Sequence, residues 1–327
     1  MVQRGGAACI HTGANAQVWR SMSTRVIMHR RESRCRACPT IEPESHPHVS
    51  AAIDFGISNT DAVATVDGEV RRWTRATVGR PTHESVRDIL AAGGVKLEAL
   101  ASLAVTGGQH KTLPTRLGAT TVVGVPEIFA IGRGGQALGI PEGDDPASPT
   151  LVVSAGSGTA VISARGATYT HVTGTGVGGG TLLGLGRLLL GTNDACDIDA
   201  MAWRGDANGV DLALRDVVSG PIGALPPDAT AVNFGRLARQ ETFAQPDDLA
   251  AALMTLVGQV IAITAINAAR AQQIERIVVT GHMADMPSFR RVIDRVGQYY
   301  GMELLLPAHA GFGTALGAML HSASVAA

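Results

Sequence analysis

Two short turns of small residues each connect apolar segments in this sequence. The first is Gly56-Ile57-Ser58 within IDFGISNTD, and the second is Gly156-Ser157-Gly158 within SAGSGT. A tight turn of small residues leaves several backbone N–H groups pointing one way, and such a nest binds phosphate oxygens. Two nests that face each other across a cleft could therefore hold a polyphosphate. Asp54, at the mouth of the first turn, could hold Mg²⁺ or its water shell, although an Asp in this position can also serve only as a turn cap.

The stretch HVTGTGVGGGTLLGLGRLLLG, at residues 171–191, is rich in glycine. Such a run before an apolar helix is typical of a loop around a ligand, because glycine lets another group approach the backbone closely. An anion is the first candidate, since the first N–H groups of a helix lack partners within it. A P-loop ends in Gly-Lys-Ser/Thr, and Gly179-Gly180-Thr181 has no Lys, which excludes a P-loop here. Gly174, Gly176 and Gly179 match a dinucleotide fingerprint weakly, because no strand follows the helix, and a packing turn without a ligand stays open.

The elements that would position these residues are repeated along the chain. Residues 49–66 and 150–163 each read as apolar strand, small turn and apolar strand, which predicts two β-hairpins. The repetition favours two lobes of one plan, at residues 50–145 and 146–327, over two unrelated hairpins. Further along, the pattern predicts a helix from about Glu127 and, in the second lobe, a strand at ERIVVTGH, a helix at PSFRRVIDRVGQYYG, a strand at MELLLP and a last helix at GFGTALGAMLHSA.

The composition is that of an ordinary globular protein. The chain has 327 residues, of which 45% are hydrophobic and 17% charged, with a formal net charge of −1. This balance favours neither nucleic acid nor an anionic membrane as a partner. The segment LMTLVGQVIAITAINAA is apolar but interrupted by polar residues, so we expect a buried core helix rather than a membrane span. Its apolar surface also favours a C₂ homodimer, and we expect a cytoplasmic protein.

Residues 1–49 differ from the rest of the chain. They are rich in Arg and His, contain no Lys and show no apolar period. This composition is typical of a targeting peptide or of an upstream extension, and we favour the extension, since Met22 and Met28 are alternative starts. Cys35 and Cys38 form a C-x-x-C without the second pair or the spaced His residues of a zinc site. We therefore expect reduced thiols there and no metal.

In their order and spacing, these segments resemble the type II pantothenate kinases, a group within the superfamily of acetate and sugar kinases, heat-shock chaperone ATPases and actin. The resemblance covers roughly residues 51–321. It rests on IDFGISNTD, VTGG at 105–108, Glu127 with RGG at 133–135, SAGSGT at 154–159, the glycine run, RGDANGVDL at 204–212, NFG at 233–235 and AGFGTALGA at 310–318.

The resemblance implies a fold, an activity and an assembly. The fold would be α/β: a two-lobed, duplicated actin-like ATPase fold with mixed sheets flanked by helices and the nucleotide in the cleft between the lobes. The activity would be phosphorylation of the primary hydroxyl of pantothenate by ATP and Mg²⁺, the first step of coenzyme A biosynthesis. The family forms homodimers in which the partner chain contributes near the substrate.

The resemblance also implies roles for individual residues. Glu127 matches the catalytic carboxylate that accepts the hydroxyl proton; stabilising the start of a helix is its alternative role. Asp54, with Gly56 and Ser58, matches the first phosphate loop, and its carboxylate is our candidate for holding the metal ion. The nucleotide-binding residues would be Asp54, Gly56, Ser58, Asn59, Gly156, Ser157, Gly158, Thr159, Gly179, Gly180 and Gly281. The substrate-binding residues would be Arg133, His171, Thr173, Gly174 and Gly178.

Three positions depart from the family's pattern. Asp61 stands in place of a Lys, Phe129 in place of an acidic residue two positions after the catalytic Glu, and His171 in place of an Arg. Asp61 would repel the γ-phosphate, so we expect its side chain to turn away from the phosphates unless it holds a metal ion, and Lys111 could replace the lost charge. N-T-D-A-V is also similar to a motif of hydantoinase and oxoprolinase subunits. A related kinase or ATP-coupled hydrolase with another substrate, and a non-catalytic nucleotide-binding regulator, are therefore alternatives.

Overall fold

The computed structural model describes residues 49–141, 143–145, 147–239 and 244–326. The strands are β1 (Ser50–Phe55), β2 (Asn59–Val66), β3 (Glu69–Ala76), β4 (Ser102–Thr106), β5 (Arg116–Leu117), β6 (Thr120–Gly124), β7 (Thr150–Ala155), β8 (Thr159–Arg165), β9 (Thr168–Thr175), β10 (Leu212–Ala213), β11 (Thr230–Val232), β12 (Arg276–Thr280) and β13 (Leu304–Leu305). The α-helices are α1 (His83–Ala92), α2 (Glu127–Gly139), α3 (Gly179–Leu189), α4 (Ala195–Arg204), α5 (Leu214–Val217), α6 (Pro246–Gln272), α7 (Pro287–Tyr300) and α8 (Gly313–Ala326). Residues 1–48 of the expected extension, with Cys35 and Cys38, lie outside the described residues, whereas Val49 packs against the core of the first sheet.

Two mixed sheets share one strand order, which confirms the predicted duplication. The first sheet runs β3-β2-β1-β4-β6-β5, and the second runs β9-β8-β7-β12-β13. In each, a three-stranded antiparallel meander is extended by two parallel strands. The two predicted hairpins are β1–β2 and β7–β8. The third strand of each meander, β3 or β9, was not predicted, because these strands are mostly polar and partly exposed.

Side chains alternate between the two faces of each sheet, as a strand period of two requires. In β1, Ala51, Ile53 and Phe55 pack with the apolar face of α1. Ala52 faces the opposite side, where it meets α8. In the second sheet, one face packs on α6 and the other on α2. Both sheets are therefore covered by helices on both sides of their inner strands, which explains the near-continuous apolar sequences of β4, β7 and β12.

Two helices cross at the junction of the lobes. α2 follows the first sheet in the chain but packs on β7, β8, β9 and β12, whereas α8 closes the chain and packs on β1, β2 and β4. The two helices touch each other through glycines. A Cβ on Gly317 would lie 2.5 Å from the backbone nitrogen of Gly134, so only glycine permits this approach. Because α2 packs on the second sheet and on α8, and α8 packs on the first sheet, both sheets fix the position of α2.

The long apolar helix α6 is the core helix of the second lobe, as predicted. It begins with Pro246 at its first turn, followed by Asp247 and Asp248, and ends at Gln273 in the left-handed conformation. Among the described helices it alone is long and apolar enough to cross a membrane. Most of its apolar surface, however, packs on α4, α7 and the second sheet. The homodimer expectation therefore draws less support from α6 than its sequence indicates.

Candidate active site

The first small-residue turn joins the carboxyl end of β1 to β2. Asp54 lies near this end, two residues beyond Ala52 and therefore on the same face of the sheet. At Gly56 a Cβ would lie 2.6 Å from the carbonyl oxygen of Asn59, so the turn requires glycine there. Ser58 is exposed and Asn59 is half-buried. The turn thus presents its backbone and the Ser58 hydroxyl at the surface of the first lobe.

Asp54 is held in an environment that opposes its charge. It stands directly opposite Asp61 in the antiparallel register of β1 and β2, and like charges opposite each other destabilise a sheet. The residue as a whole is half-buried, yet its Oδ1 is shielded from solvent and has no hydrogen-bond partner among the described residues. Burial, followed by the charges of Asp61 and Glu127, raises the pKa of Asp54 from 3.8 to about 8, against a smaller lowering by His282. An orphaned carboxyl oxygen of this kind suits a bound cation.

A second orphaned polar atom lies beside Asp54 and was not predicted. Thr106 ends β4, pairs with Asp54 in the parallel register and is fully buried, and its Oγ1 lacks a partner among the described residues. Gly107 follows with φ 90°, and a Cβ there would lie 2.7 Å from the Asp54 Oδ1. The available signal was VTGG at the end of a strand parallel to β1. Both orphaned atoms therefore lie near the same carboxyl edge of the first sheet.

Glu127 is the first residue of α2, directly after β6. Because β1, β4 and β6 are parallel, their carboxyl ends meet at one edge, which brings Glu127 toward Asp54 and Thr106. Its side chain is exposed, and its charge contributes to the raised pKa of Asp54. The cap residue Pro126 offers no side-chain hydrogen bond. Glu127 is thus a solvent-accessible carboxylate beside a buried one, as a general base facing a substrate requires.

The second turn is packed against the glycine run. The N–H of Gly179 donates to the carbonyl of Gly156 at 2.8 Å, and the N–H of Gly180 donates to the carbonyl of Ser157 at 2.9 Å. A Cβ on Gly178 would lie 2.9 Å from the backbone of Gly158. The bare backbone of residues 178–180 therefore accommodates the second turn. Since these two N–H groups are already used within the protein, any nucleotide binding by Gly179 and Gly180 would rest on close approach rather than on N–H donation.

The two turns meet across the cleft between the lobes. The Ser58 and Ser157 hydroxyl oxygens are 2.8 Å apart, within hydrogen-bonding distance. Thr159, at the end of the second turn, is buried and donates to the Val177 carbonyl at 2.8 Å. Gly281, with φ 95°, lies against Ala155, the residue that leads into the second turn. The structure thus gathers both turns and Gly281 into one place.

Four of the five predicted substrate-binding residues lie on α2 and β9, and the fifth, Gly178, is the N-cap residue of α3. His171, Thr173 and Gly174 belong to the edge strand β9 rather than to a loop, and a register shift against β8 falls within this segment. His171 and Gly174 are exposed. Burial raises the pKa of the Tyr169 hydroxyl on β9, and the charge of half-buried Arg133 on α2 lowers it by a smaller amount. These residues therefore form one surface beside the glycine run.

Phe129 fills the space between three elements. Its ring centroid lies 5.6 Å from that of Tyr169 on β9, in an edge-to-face arrangement. It lies 5.1 Å from that of His321 on α8. The aromatic residue at this position therefore packs α2 against its neighbours, which accounts for its departure from an acidic residue.

Asp61 points toward the second lobe. Its side chain is 7% exposed, and the Nε2 of His282 donates to its Oδ1 at 2.8 Å. Lys111 lies beyond β4 in the exposed 3₁₀ turn His110–Thr112. The sequence offered no signal for the partnership with His282, because the two residues are 221 positions apart.

A metal ion at this site would depend on more than protein ligands. Within the described ranges, no group of three or more His, Cys, Asp or Glu side chains has the geometry to hold a metal ion. A single Asp carboxylate fits Mg²⁺, which usually keeps several waters and shares its shell with substrate phosphates. A cavity of about 140 Å³ elsewhere in the second lobe is lined mainly by residues between α4, α6 and α7 and contains none of the predicted site residues.

Comparison with known proteins gives concordant results for sequence and fold. The Fumble family model matches residues 127–321. The type II pantothenate kinase of Oceanobacillus iheyensis is 30% identical over 227 residues, which cover 69% of this chain and 84% of that protein. The type II pantothenate kinase of Staphylococcus aureus strain USA300 is 29% identical over 224 residues, covering 68% and 83%.

Two solved structures are similar to the chain over most of its length. One is the activator of the 2-hydroxyisocaproyl-CoA dehydratase from Clostridium difficile with bound ADPNP, with a TM-score of 0.56, 15% identity and coverage of 85% of this chain and 95% of that chain. The other is a ROK family glucokinase from Streptomyces griseus in complex with glucose and AMPPNP, with a TM-score of 0.53, 13% identity and coverage of 84% and 98%. These similarities confirm the predicted actin-like ATPase fold.

Proposed function

The chain belongs to the Fumble family, and from this premise we propose that it phosphorylates the primary hydroxyl of pantothenate with ATP, the first step of coenzyme A biosynthesis. One observation carries the proposal: Asp54, Thr106 and Glu127 end or follow adjacent parallel strands at the edge where the two small-residue turns meet. Phosphoryl transfer needs positioned groups and charge neutralisation more than covalent help from the protein. This edge supplies the positioned groups, and a cation held by Asp54 would supply the charge neutralisation.

The nucleotide phosphates would lie between the backbones of the two turns, in place of the direct contact between the Ser58 and Ser157 hydroxyls. Backbone N–H groups of Gly56–Asn59 and Gly156–Thr159 would cradle them from the two lobes. Asp54 would hold Mg²⁺, which neutralises charge on the β- and γ-phosphates during transfer. Because the pKa of Asp54 is about 8 in the free protein, Asp54 would release its proton when the cation binds.

Glu127 would act as the general base. As an exposed carboxylate at the start of α2, it can reach a hydroxyl group that enters from the cleft and accept its proton as the oxygen attacks the γ-phosphorus. Such a base typically contributes ~10²–10⁴-fold to the rate. The burial of Asp54 leaves Glu127 as the accessible carboxylate of the two.

The acceptor would bind along α2 and β9. Arg133 is the cation on this surface and would bind the pantothenate carboxylate, since an Arg guanidinium matches carboxylate geometry. Thr173 and His171 offer hydrogen-bonding groups, and Gly174 and Gly178 leave room for the chain of the substrate. The aromatic pair of Phe129 and Tyr169 closes the apolar side.

The assembly and location belong to the same proposal. We infer a cytoplasmic homodimer that acts on a small molecule, without a nucleic-acid or membrane partner. Large apolar side chains exposed on the second lobe support a partner surface: Leu188, Leu189, Trp203, Val217, Val218 and Ile222. A dimer mass by light scattering at micromolar concentration is expected.

Release of ADP in the presence of pantothenate tests the function. We expect turnover by the wild-type protein and a fall in kcat of ~10²-fold or more in Glu127→Gln, with MgATP affinity retained, because the amide keeps the shape and loses the basicity. Glu275→Gln, an exposed control before β12, is expected to retain activity. Full activity in Glu127→Gln would refute the mechanism. MgATP binding without turnover of pantothenate would point to another substrate or to a regulatory nucleotide-binding protein.

A further inference from the structure

A hydrogen-bonded pair of a half-buried histidine and a buried aspartate joins the two lobes beside the candidate active site. Asp61 lies on β2, opposite Asp54. His282 lies in the second lobe, directly after Gly281, in the 3₁₀ turn His282–Asp285. Its Nε2 donates to the Asp61 Oδ1 at 2.8 Å, and the two side chains are 35% and 7% exposed. Together with the contact between the two serine hydroxyls, this pair connects the first lobe to the second at the mouth of the cleft.

The ring of His282 is held in place on its other sides. Phe312 packs against it edge-on, with ring centroids 5.7 Å apart. The N–H of Gly311 donates to the Asp285 Oδ2 at 3.1 Å, and that oxygen lies 3.8 Å from the Nδ1 of His282. A side chain at Gly311 would collide with the ring. The fixed ring therefore aims its Nε2 at Asp61.

The charged groups that face His282 are all carboxylates. They are Asp61 on β2, Asp54 on β1 and Asp285 on its own turn, and Glu127 on α2 adds its charge to this edge through Asp54. Burial lowers the pKa of His282, but the hydrogen bond to Asp61 and the three carboxylate charges outweigh burial and raise the pKa above 6.5. His282 therefore places a positive charge among these carboxylates, of which Asp285 also interacts with Arg290 and His309.

We propose that His282 is a positioning residue for ATP: as an imidazolium it neutralises Asp61 and holds that carboxylate against the second lobe, away from the phosphates. Without this cation, an uncompensated charge on β2 would face the triphosphate, and the two lobes would lose one of their ties. The inference rests on ATP as the ligand of the cleft. It requires that MgATP affinity depends on the charge of His282. The proton transfer to Glu127 need not depend on that charge.

Calorimetric titration of MgATP into the free protein tests the proposal without using pantothenate. At about pH 6, where His282 is charged, we expect His282→Gln to weaken MgATP binding by about tenfold or more, because truncating one partner of a buried charge pair leaves the other unpaired. At a pH well above the pKa of His282, which the NMR titration of its ring protons gives, the wild-type imidazole is neutral and we expect the two proteins to agree within about threefold. A purely structural role for the ring would give the same loss at both pH values.

Two further variants separate charge from folding. Asp61→Asn/His282→Gln removes both charges, so we expect its MgATP affinity at about pH 6 to return to within about threefold of the wild type, since replacing both partners leaves no unpaired charge. Asp61→Asn alone should lower the pKa of the His282 ring toward its ordinary value, measured by the NMR titration of its ring protons. His83→Gln, an exposed histidine on α1, is the matched control, and circular dichroism confirms the fold of each variant.

The outcomes distinguish this inference from the proposed function. Equal MgATP affinity of wild type and His282→Gln at about pH 6, or a double variant no better than His282→Gln, would overturn the role of the pair even if pantothenate is phosphorylated. An unchanged His282 pKa in Asp61→Asn would also overturn it. A wild-type protein that binds MgATP in this pH-dependent way but leaves pantothenate unchanged would refute the proposed substrate and support the pair.

Discussion

Asp54→Asn should make the free protein more stable at high pH while removing its activity. In the wild type, the pKa of Asp54 is about 8 in the folded state, against 3.8 as its ordinary value. Between these values the folded protein holds a proton that the unfolded chain has lost. Unfolding therefore releases a proton, and stability falls as pH rises through this window. Asn cannot ionise, so the variant escapes this loss.

The magnitude follows from the two pKa values. Each pH unit between them changes the free energy of unfolding by about 1.36 kcal/mol. Because Asp54 is about half ionised near pH 8, the stability of the variant relative to the wild type should grow by about 2 kcal/mol between pH 6 and pH 8. For the first lobe, at residues 50–145, that corresponds to about 8–16 °C in Tm, at about 4–8 °C per kcal/mol.

Urea denaturation of both proteins at several pH values measures this difference directly. Asp88→Asn, an exposed Asp on α1, is the control, and its difference from the wild type should stay within about 0.5 kcal/mol across the range. A constant offset between Asp54→Asn and wild type, independent of pH, would refute the electrostatic account of this site.

Release of the proton on the Asp54 carboxyl should show whether the metal ion binds at this residue. At pH 7 the free wild-type protein carries about 0.9 proton on Asp54, calculated from its pKa. If Mg²⁺ arrives with ATP at this carboxylate, binding should release most of that proton, which calorimetry in buffers of different ionisation enthalpy detects. Asp54→Asn should show no such release. Release of no proton by the wild type would place the cation elsewhere.

Two further predictions concern packing. Gly317→Ala should lower stability by about 1–3 kcal/mol and reduce kcat/KM at least about tenfold, because a Cβ there overlaps the Ala130 carbonyl and pushes apart the helices that position Glu127. The control Gly184→Ala, in open space on α3, should retain both stability and kcat/KM. Equal behaviour of the two variants in denaturation and kinetics would contradict this prediction. Phe289→Ala should lower the free energy of unfolding by about 3–5 kcal/mol in urea denaturation, since the side chain is fully buried. For the control Val78→Ala, at an exposed position, the change should stay within about 0.5 kcal/mol. A loss below about 1 kcal/mol for Phe289→Ala would contradict this prediction and show that the core collapses around the gap.

Several features of the site followed from local sequence. The turns after β1 and β7 were predicted because small residues between apolar strands leave few other conformations. The start of α2 at Glu127 also follows from local pattern, because Pro126 precedes an apolar period there. The buried helix α6 follows because its apolar run is interrupted by too many polar residues to cross a membrane. The strand β9 was the exception: its polar edge-strand sequence has no buried face, so residues 171–175 looked like a loop.

The electrostatics of the site were decided only by the tertiary structure. The antiparallel register of β1 and β2 sets Asp54 opposite Asp61, and the parallel neighbour β4 buries Thr106 beside them. His282 reaches Asp61 from 221 residues away. The sequence showed Asp61 as a charge that should repel ATP, and a pattern of neighbours in the chain cannot reveal its partner, because Coulomb energy depends on distance in space. The residue types of the two turns could therefore be predicted from the sequence. The pairing of the Asp61 charge with His282 depends on the tertiary structure, because it forms only when the two lobes are brought together.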